Sequence, residues 1–405
     1  MLLQLADPRV PHPLQGPLLI DSVHGLPRYW AAVWSLLEGS SLARSSLTKK
    51  LRQIESLYAH TDLVFGPSFL DNALGTVNDA LLSDMLESWF ISIKNQSDIG
   101  PSDEARWRAG LSFVVCIITR LSKANLPTER LRKMEVRLHR LSHLYGQLHV
   151  QRNRRPSFPR SLPASVVHAL YEILDPSSTT NPFARQRTRW LAFLAFVLML
   201  HQGLRRGEVL LLTADAVKDG FDERQGRLRS WLNVRESKYA SDDDPRHSRP
   251  SIKSPNSVRQ LPVSDTISSM VQAYVENYRG KPNHPFLLNT QQNTPLSTES
   301  MTKMFAKVCA SLPKTVRQEL MDRNGKTVVT PHDLRHTCAV IRLNQLLTQG
   351  DPMDEALQKL RSFFGWSRDS QMPVHYARAV FEDRLSSVWN SAFDERVEVL
   401  RALNL

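Results

Sequence analysis

Residues 330–337 of this 405-residue chain are Thr330-Pro331-His332-Asp333-Leu334-Arg335-His336-Thr337. Threonine followed by proline is typical of a helix start, with Thr330 as the N-cap and Pro331 in the first helical position. His332 and Arg335 then lie three residues apart on one helix face, beside an N-terminus that favours anions. A histidine and an arginine in this place predict a phosphate site.

Two other interpretations of the same stretch compete with the phosphate site. His332 and His336 are four residues apart, like the two histidines of a zinc-protease helix. However, the acid beside the first histidine is aspartate rather than glutamate, and Arg335 would place a cation beside the metal, so we expect no metal here. The third interpretation is a surface helix start whose histidine and arginine are incidental.

Upstream of this stretch, the apolar helix 190–200 runs into His201-Gln202-Gly203-Leu204-Arg205-Arg206-Gly207-Glu208. Gly203 is a good helix terminator, and a second apolar segment begins at Glu208. Arg205 is therefore held between two apolar segments, where an arginine needs an anion or an acidic partner. The alternative is that Arg205 simply pairs with Glu208.

Downstream, Asp351-Pro352 opens a helix that stops at Gly365 and presents Trp366 just past its end. Tyr376 follows ten residues later. A lone tyrosine is structural in most proteins, so Tyr376 has meaning only together with the other segments.

The composition favours a nucleic-acid partner. Lys+Arg minus Asp+Glu is 52 − 40 = +12, and the pI is near 9.8, which favours a polyanion, although a merely basic enzyme is the alternative. Cys116, Cys309 and Cys338 have no paired spacing, which argues against a disulfide scaffold or a cysteine zinc site and suits the cytoplasm. The longest apolar run is about half of the roughly 20 residues that span a bilayer, and the start lacks a signal peptide's basic region. We expect a soluble cytoplasmic protein without a membrane partner.

The chain divides into four parts. Residues 1–24 contain four prolines and no apolar period, which predicts an irregular arm. Residues 25–150 have apolar residues at helical spacing throughout, which predicts a helical domain. Residues 151–163 are basic and proline-rich and predict a linker. Residues 164–405 have a mixed pattern and form the last domain, with a helix at the C-terminus.

Within the last domain, strand-like segments at 228–234 and 258–263 flank a polar stretch from 236 to 257, which is too long for a tight hairpin loop. The other elements predicted there are helices near 164–174, 187–201 and 265–279 and a short apolar strand at 285–288.

The last helix of the helical domain has one apolar stripe and basic residues on its other faces. This pattern predicts contacts with the DNA backbone, and a packed helix with a solvated basic face is the alternative. With the linker arginines, the candidate DNA-binding residues are Arg130, Arg132, Lys133, Arg137, Arg140, Arg152, Arg154 and Arg155.

Together, Gly203-Leu204-Arg205-x-x-Glu208, His332-x-x-Arg335-His336-Thr337 and Gly365-Trp366 with the later Tyr376 resemble the tyrosine recombinase (phage integrase) family over about residues 164–390. The resemblance implies a mainly α fold with a small antiparallel β-sheet in the C-terminal domain. It implies a two-domain DNA clamp, with a helical N-terminal core-binding domain and a tyrosine recombinase catalytic domain.

In that family, two arginines, a hairpin lysine, a histidine and a His or Trp surround the scissile phosphate, and a tyrosine attacks it. Most members have histidine where this chain has Trp366, and the spacing from Trp366 to Tyr376 is one residue longer than is common. For the lysine we favour Lys253 over Lys238, because its spacing to Arg259 resembles the family's hairpin. The implied catalytic residues are Arg205, Lys253, His332, Arg335, Trp366 and Tyr376.

The residue types fit this chemistry independently of the resemblance. Two arginines can grip the non-bridging oxygens of a phosphate bidentately, and enough fixed cations remove the need for a metal. A phosphotyrosyl bond conserves the energy of the broken linkage, so religation needs no nucleotide or other cofactor.

The sequence therefore predicts a site-specific recombinase or integrase of a mobile genetic element, acting on double-stranded DNA. The resemblance implies a homotetramer at synapsis, with other recombinases or accessory proteins as further candidate partners. It also implies that the apolar C-terminal segment 386–403 packs on a neighbouring protomer, unless it packs on its own domain. The alternatives are a type IB topoisomerase-like nicking-resealing enzyme and a non-catalytic DNA-binding regulator.

Overall fold

The computed structural model describes residues 1–5, 9, 15–96, 100–125, 136, 161–223, 226–236, 244, 246, 249–252, 255–377 and 380. The contacts divide the chain into two units, Met1–Arg155 and Pro156–Leu405, and each unit contains its own hydrophobic core. The dividing point falls within the predicted linker. The described elements are mostly helices with small antiparallel sheets, which confirms the predicted fold class.

The first unit begins with a hairpin. Strands β1 (Leu2–Leu5) and β2 (Gly16–Leu19) pair antiparallel, with Leu2 opposite Leu19. The prediction of an irregular arm is therefore wrong for these residues. Leu19 is buried and Leu2 packs against the same core, so the backbone groups of both strands must pair with one another. Pro17 is tolerated in β2 because each strand of a two-stranded sheet is an edge.

Five helices complete the described part of the first unit, as the apolar spacing predicts. Trp89 and Trp107 meet in its core with ring centroids 5.4 Å apart. Position 110, inside the helix Pro101–Asn125, is a glycine because a Cβ there would come within 2.4 Å of the Trp89 ring. The helices are α1 (Tyr29–Leu37), α2 (Arg44–Val64), α3 (Phe69–Gly75), α4 (Asp79–Lys94) and α5 (Pro101–Asn125).

The second unit places helices around a three-stranded antiparallel sheet of order β3-β4-β5. Its strands are β3 (Val217–Asp222), β4 (Arg227–Val234) and β5 (Arg259–Val263). Strands β4 and β5 match the predicted segments, whereas β3 was not predicted, because its sequence is polar and it is held by pairing with β4. Residues 285–288 do not form the expected strand, since Phe286 makes only an isolated bridge to Thr213.

The helices of the second unit include α7 (Gln186–His201), in which every residue from Leu191 to Leu200 except the partly buried Phe193 is buried in the core. None of the helices in the described ranges is long and apolar enough to cross a membrane. The others are α6 (Ala164–Leu174), α8 (Arg206–Leu211), α9 (Asp265–Asn277), α10 (Thr298–Ala310), α11 (Lys314–Asn324), α12 (Pro331–Thr348) and α13 (Met353–Phe364).

The chain leaves α7 at Gly203, just after the C-cap residue Gln202, as predicted. Gly203 adopts φ +58°, and a Cβ there would lie 2.3 Å from the Phe364 ring, so the chain can turn here only with glycine. This close approach brings the end of α7 against the end of α13 and delivers Arg205 to the same place.

Candidate active site

Helix α12 begins where the sequence predicts. The Asp333 carboxylate accepts hydrogen bonds from the Thr330 backbone N–H and hydroxyl, both at 2.8 Å, and pairs with Lys326. These bonds fix the first turn of the helix. His332 is exposed on that turn, and Arg335 lies one turn further in and is buried.

Arg335 is only 2% exposed, and it links the turn at Gly203 to the end of α13. It donates to the carbonyl oxygens of Gly203 and, at 2.7 Å, of Phe364. Its guanidinium lies 4.8 Å from the centroid of the Phe364 ring and 5.6 Å from that of Trp366. Burial and the neighbouring Arg205 lower the pKa of Arg335 to about 9, which leaves it a cation at neutral pH.

Arg205 is more accessible, with 22% of its side chain exposed. Its guanidinium donates to the Glu208 carboxylate at 2.6 Å and to the Ser257 hydroxyl at 2.9 Å. The alternative that Arg205 simply pairs with Glu208 is thus right about the contact. It is incomplete, because Glu208 is shared with two other arginines.

Glu208 is the centre of this arginine cluster, which consists of Glu208, Arg205, Arg259 and Arg335. Arg259 donates to Glu208 at 3.0 Å, and Arg335 lies 3.8 Å from the same oxygen. Burial alone would raise the pKa of Glu208, but the guanidiniums of Arg259 and Arg335 and the N–H of Arg205 together lower it. The carboxylate is therefore ionised, and the cluster carries three positive charges against one negative charge.

Arg259, the first residue of β5, was not predicted as a site residue from the sequence. It donates at 2.7 Å to the carbonyl oxygens of Phe363 and Ser257, as well as to Glu208. It thus ties the start of β5 to the end of α13. Only its spacing after a candidate lysine could have pointed to it.

The segment that contains Lys253 is packed at both of its described ends. A Cβ on Gly207 would lie 3.1 Å from the Ser251 carbonyl oxygen, and one on Gly365 would lie 2.7 Å from that of Asn256. Lys253 and its rival Lys238 are themselves outside the described residues, so the choice between them stays a prediction.

Trp366 and Tyr376 complete the site. The Trp366 ring stacks on Phe364 at 4.7 Å and on Tyr376 at 5.5 Å, with ring planes within 13° and 12°. Tyr376 is 4% exposed, and its hydroxyl shares a hydrogen bond with Nδ1 of His336. The His336 ring in turn lies 4.2 Å from that of His332. Five predicted residues are thus joined by successive contacts: Arg205, His332, Arg335, Trp366 and Tyr376.

The remaining predictions fall on other parts of the chain. The eight candidate DNA-binding residues and the C-terminal segment 386–403 lie outside the described residues. Over the ranges that are described, no group of three or more His, Cys, Asp or Glu side chains is arranged to hold a metal ion. The candidate DNA-binding residues are Arg130, Arg132, Lys133, Arg137, Arg140, Arg152, Arg154 and Arg155.

The second unit thus combines helices with a small antiparallel sheet, and in its candidate site Trp366 contacts both Arg335 and Tyr376, while His336 bonds to Tyr376. The family model described as "Phage integrase family" matches residues 160–382, more than half of the chain, and the chain belongs to this family. The resemblance noted in the sequence is thereby confirmed.

Solved structures give more distant likenesses. XerA recombinase shares 14% identity over 83% of this chain and 98% of its own, with a TM-score of 0.35. XerH site-specific recombinase in a pre-cleavage complex with its difH substrate shares 11% identity over 89% of this chain and 84% of its own, with a TM-score of 0.47. Lambda integrase bound to DNA shares 12% identity over 84% and 92%, with a TM-score of 0.37. No curated protein matches the sequence.

Proposed function

We propose that this chain is a site-specific DNA recombinase or integrase that cleaves and rejoins DNA through a 3′-phosphotyrosyl intermediate on Tyr376, without metal or nucleotide. The observation that carries the proposal is the arginine cluster around Glu208, with Tyr376 close beside it. Membership in the phage integrase family supports double-stranded DNA as the substrate.

The charge of the cluster supports an anionic ligand. The ion pairs of Arg205, Arg259 and Arg335 within the described residues all go to one carboxylate, that of Glu208. Unbalanced buried charge is costly, so a further anion is favoured at the accessible edge, where Arg205 reaches the surface. A phosphodiester supplies one negative charge, and more develops on its oxygens as the nucleophile attacks.

Each residue then has a role in phosphoryl transfer. Arg205 and Arg335 stabilise the non-bridging oxygens, and Arg335 has further N–H donors beyond the two that hold carbonyl groups. His332, exposed at the start of α12, and the indole N–H of Trp366 add neutral or charged donors. The Tyr376 oxygen attacks phosphorus, and the 5′ oxygen leaves.

The proton for the leaving oxygen comes from a lysine, and we favour Lys253 over Lys238. In a DNA substrate whose bridging 5′ oxygen is replaced by sulfur, the 5′ thiolate leaves readily without being protonated. Cleavage by the Lys253→Ala variant should therefore be impaired on normal DNA and largely restored on the sulfur substrate. Rescue of Lys238→Ala instead would make Lys238 the acid.

The rest of the proposal concerns the assembly. We propose that the eight basic residues of the last helix of the first domain and of the linker contact the DNA backbone. We further propose that a homotetramer forms at synapsis in the cytoplasm, on the DNA of a mobile element. Footprinting on DNA that flanks the gene would define the site.

The test is a covalent adduct between protein and duplex DNA in a denaturing gel. The wild-type chain should form it, and Tyr376→Phe should abolish it while leaving site binding nearly unchanged, because the change removes a nucleophile and little contact area. Adduct formation by Tyr376→Phe at the wild-type level would mean that another residue is the nucleophile, and Tyr239 would be tested first.

Binding of DNA by the wild-type chain without any adduct would favour a regulator. Relaxation of plasmid DNA without joining of two sites would favour a topoisomerase-like enzyme.

A further inference from the structure

The hydrogen bond between Tyr376 and His336 has a chemical consequence. We propose that His336, rather than His332, accepts the proton of the Tyr376 hydroxyl as this oxygen attacks the scissile phosphate. The inference rests on the proposed function, because it assigns a partner to the proposed nucleophile.

The geometry holds the phenol of Tyr376 against the imidazole of His336. Nδ1 of His336 and the Tyr376 oxygen share a hydrogen bond, and the two ring centroids are 5.5 Å apart. Both side chains are almost fully buried, and Trp366 stacks on the tyrosine ring. A proton acceptor must lie within hydrogen-bond reach of the proton that it takes, and His336 does.

The surrounding charges favour the phenolate that results. Burial is the largest influence on Arg335 and lowers its pKa to about 9, whereas the negative charges of Glu208 and of an ionised Tyr376 act in the opposite direction. The same attraction stabilises negative charge on the Tyr376 oxygen. Arg335 therefore helps the proton to leave without accepting it.

The two histidines of α12 then have separate tasks. His332 is exposed on the first turn, beside the helix N-terminus, where a phosphate is favoured. His336 lies one turn further in, and its ring is 4.2 Å from that of His332. One histidine thus serves the phosphate, and the other serves the nucleophile.

The proton balance of the step is simple. The bond from the Tyr376 oxygen to phosphorus forms while its proton moves to Nδ1 of His336, which must start unprotonated at that nitrogen. The bond from phosphorus to the 5′ oxygen breaks, and that oxygen takes a proton from the lysine general acid. In religation the 5′ hydroxyl attacks phosphorus and returns its proton to the neutral lysine, while the bond from phosphorus to the Tyr376 oxygen breaks and that oxygen recovers its proton from His336.

The first experiment uses His336→Asn in the full-length protein. The asparagine side-chain oxygen can occupy the place of Nδ1 and accept the hydrogen bond, but it cannot take the proton. Adduct formation on DNA that contains the footprinted site should fall by about 10²–10⁴-fold, with DNA binding unchanged. Cleavage at the wild-type rate would overturn the inference.

The second experiment separates proton transfer from positioning. Fluorinated tyrosine, incorporated at 376, is a more acidic phenol and needs less help to lose its proton. The ratio of the wild-type rate to the His336→Asn rate should therefore shrink at least tenfold with the fluorinated phenol. An unchanged ratio would show that His336 only positions the ring. His332→Asn is the matched control, and its deficit should be the same with both phenols.

The failure of this inference is distinct from failure of the proposed function. If the wild-type chain forms no adduct, the function itself fails, whereas an adduct that depends on Tyr376 but not on His336 overturns the inference alone. Should His336→Asn fail to bind DNA, His336→Ala with added imidazole replaces it. Restored cleavage then supports the missing proton acceptor, and unrestored cleavage by a variant that binds DNA contradicts it.

Discussion

The two units of the molecule each contain a buried ion cluster, and the two clusters have opposite composition. In the first unit a single arginine, Arg28, lies 3.4 Å from Asp21 and also pairs with Asp62. In the second unit a single carboxylate, Glu208, is shared by three arginines. The first cluster therefore has one more carboxylate than arginines, and the second has two more arginines than carboxylates.

The consequences of these surpluses differ because the burial differs. Asp62 is 25% exposed and the exposed His24 contacts Asp21, so the surplus negative charge of the first cluster reaches water. The side chains of Arg259 and Arg335 are only 7% and 2% exposed, so most of the surplus positive charge of the second cluster does not reach water. The first cluster joins the loop before α1 to α2, although Arg28 Nη1 and Asp62 Oδ1 are buried there without a hydrogen-bond partner among the described residues. For the second cluster, the proposed function supplies an additional anion, the DNA phosphate.

The largest effect is expected from neutralising the centre of the second cluster. Glu208→Gln leaves the arginines to repel one another, and removing one partner of a buried ion pair costs about 3–5 kcal/mol. The free energy of unfolding of the second unit should fall by this order in urea, and inorganic phosphate should recover part of it. Asp62→Asn is the matched change in the first cluster. It should cost less, without any response to phosphate, and equal responses would erase the distinction between the clusters.

The next effect separates activity from stability. Arg205→Lys keeps the charge but loses the bidentate geometry, so adduct formation should fall by on the order of 10²–10³-fold, while the melting temperature changes little. Arg28→Lys should do the reverse, lowering the melting temperature and leaving the activity of the folded protein intact. A loss of adduct in Arg28→Lys at full folding would make the first cluster functional as well.

A smaller effect is expected from Ser257→Ala. Its hydroxyl accepts a hydrogen bond from Arg205 at 2.9 Å, and a bond to a charged group contributes about 1.5–3 kcal/mol. If that bond orients Arg205, adduct formation should slow by on the order of tenfold or more. A rate unchanged from the wild type would show that Glu208 alone orients the arginine.

The smallest effect is the pH dependence that the two clusters share. Bonds from His24 and the Val23 N–H lower the pKa of Asp21, and Arg259 is the main group that lowers that of Glu208 against burial. A carboxyl with a depressed pKa contributes stability above its ordinary value, and loses it as the pH falls through the folded-state pKa. Asp and Glu side chains ordinarily have pKa values of about 4. Both units should therefore lose stability as the pH falls below about 4. Glu208→Gln should reduce this acid sensitivity in the second unit, as followed by unfolding at several pH values. Part of it should stay, because the pKa of Asp244, whose side chain is buried, is also lowered.

Much of the local structure could be predicted because its causes lie within a few residues. The start of α12 depends on Thr330, Pro331 and Asp333, which make the cap among themselves. Gly203 could be recognised as the end of α7, since only glycine readily adopts its positive φ. The hairpin β1–β2 and strand β3 escaped prediction, because pairing partners rather than a local apolar pattern stabilise them.

The candidate site divides along the same line. The sequence alone points to Arg205, His332, Arg335, Trp366 and Tyr376 as candidates, because the motifs that contain them together resemble those of the tyrosine recombinase family. Only the tertiary structure decided that Arg259 joins Arg205 at one carboxylate and that Tyr376 bonds to His336, forty residues earlier in the chain. Such pairings depend on which buried polar groups meet when the helices pack. No spacing in the sequence records them, since the cost of leaving a buried charge or donor unpaired arises only once the core has formed.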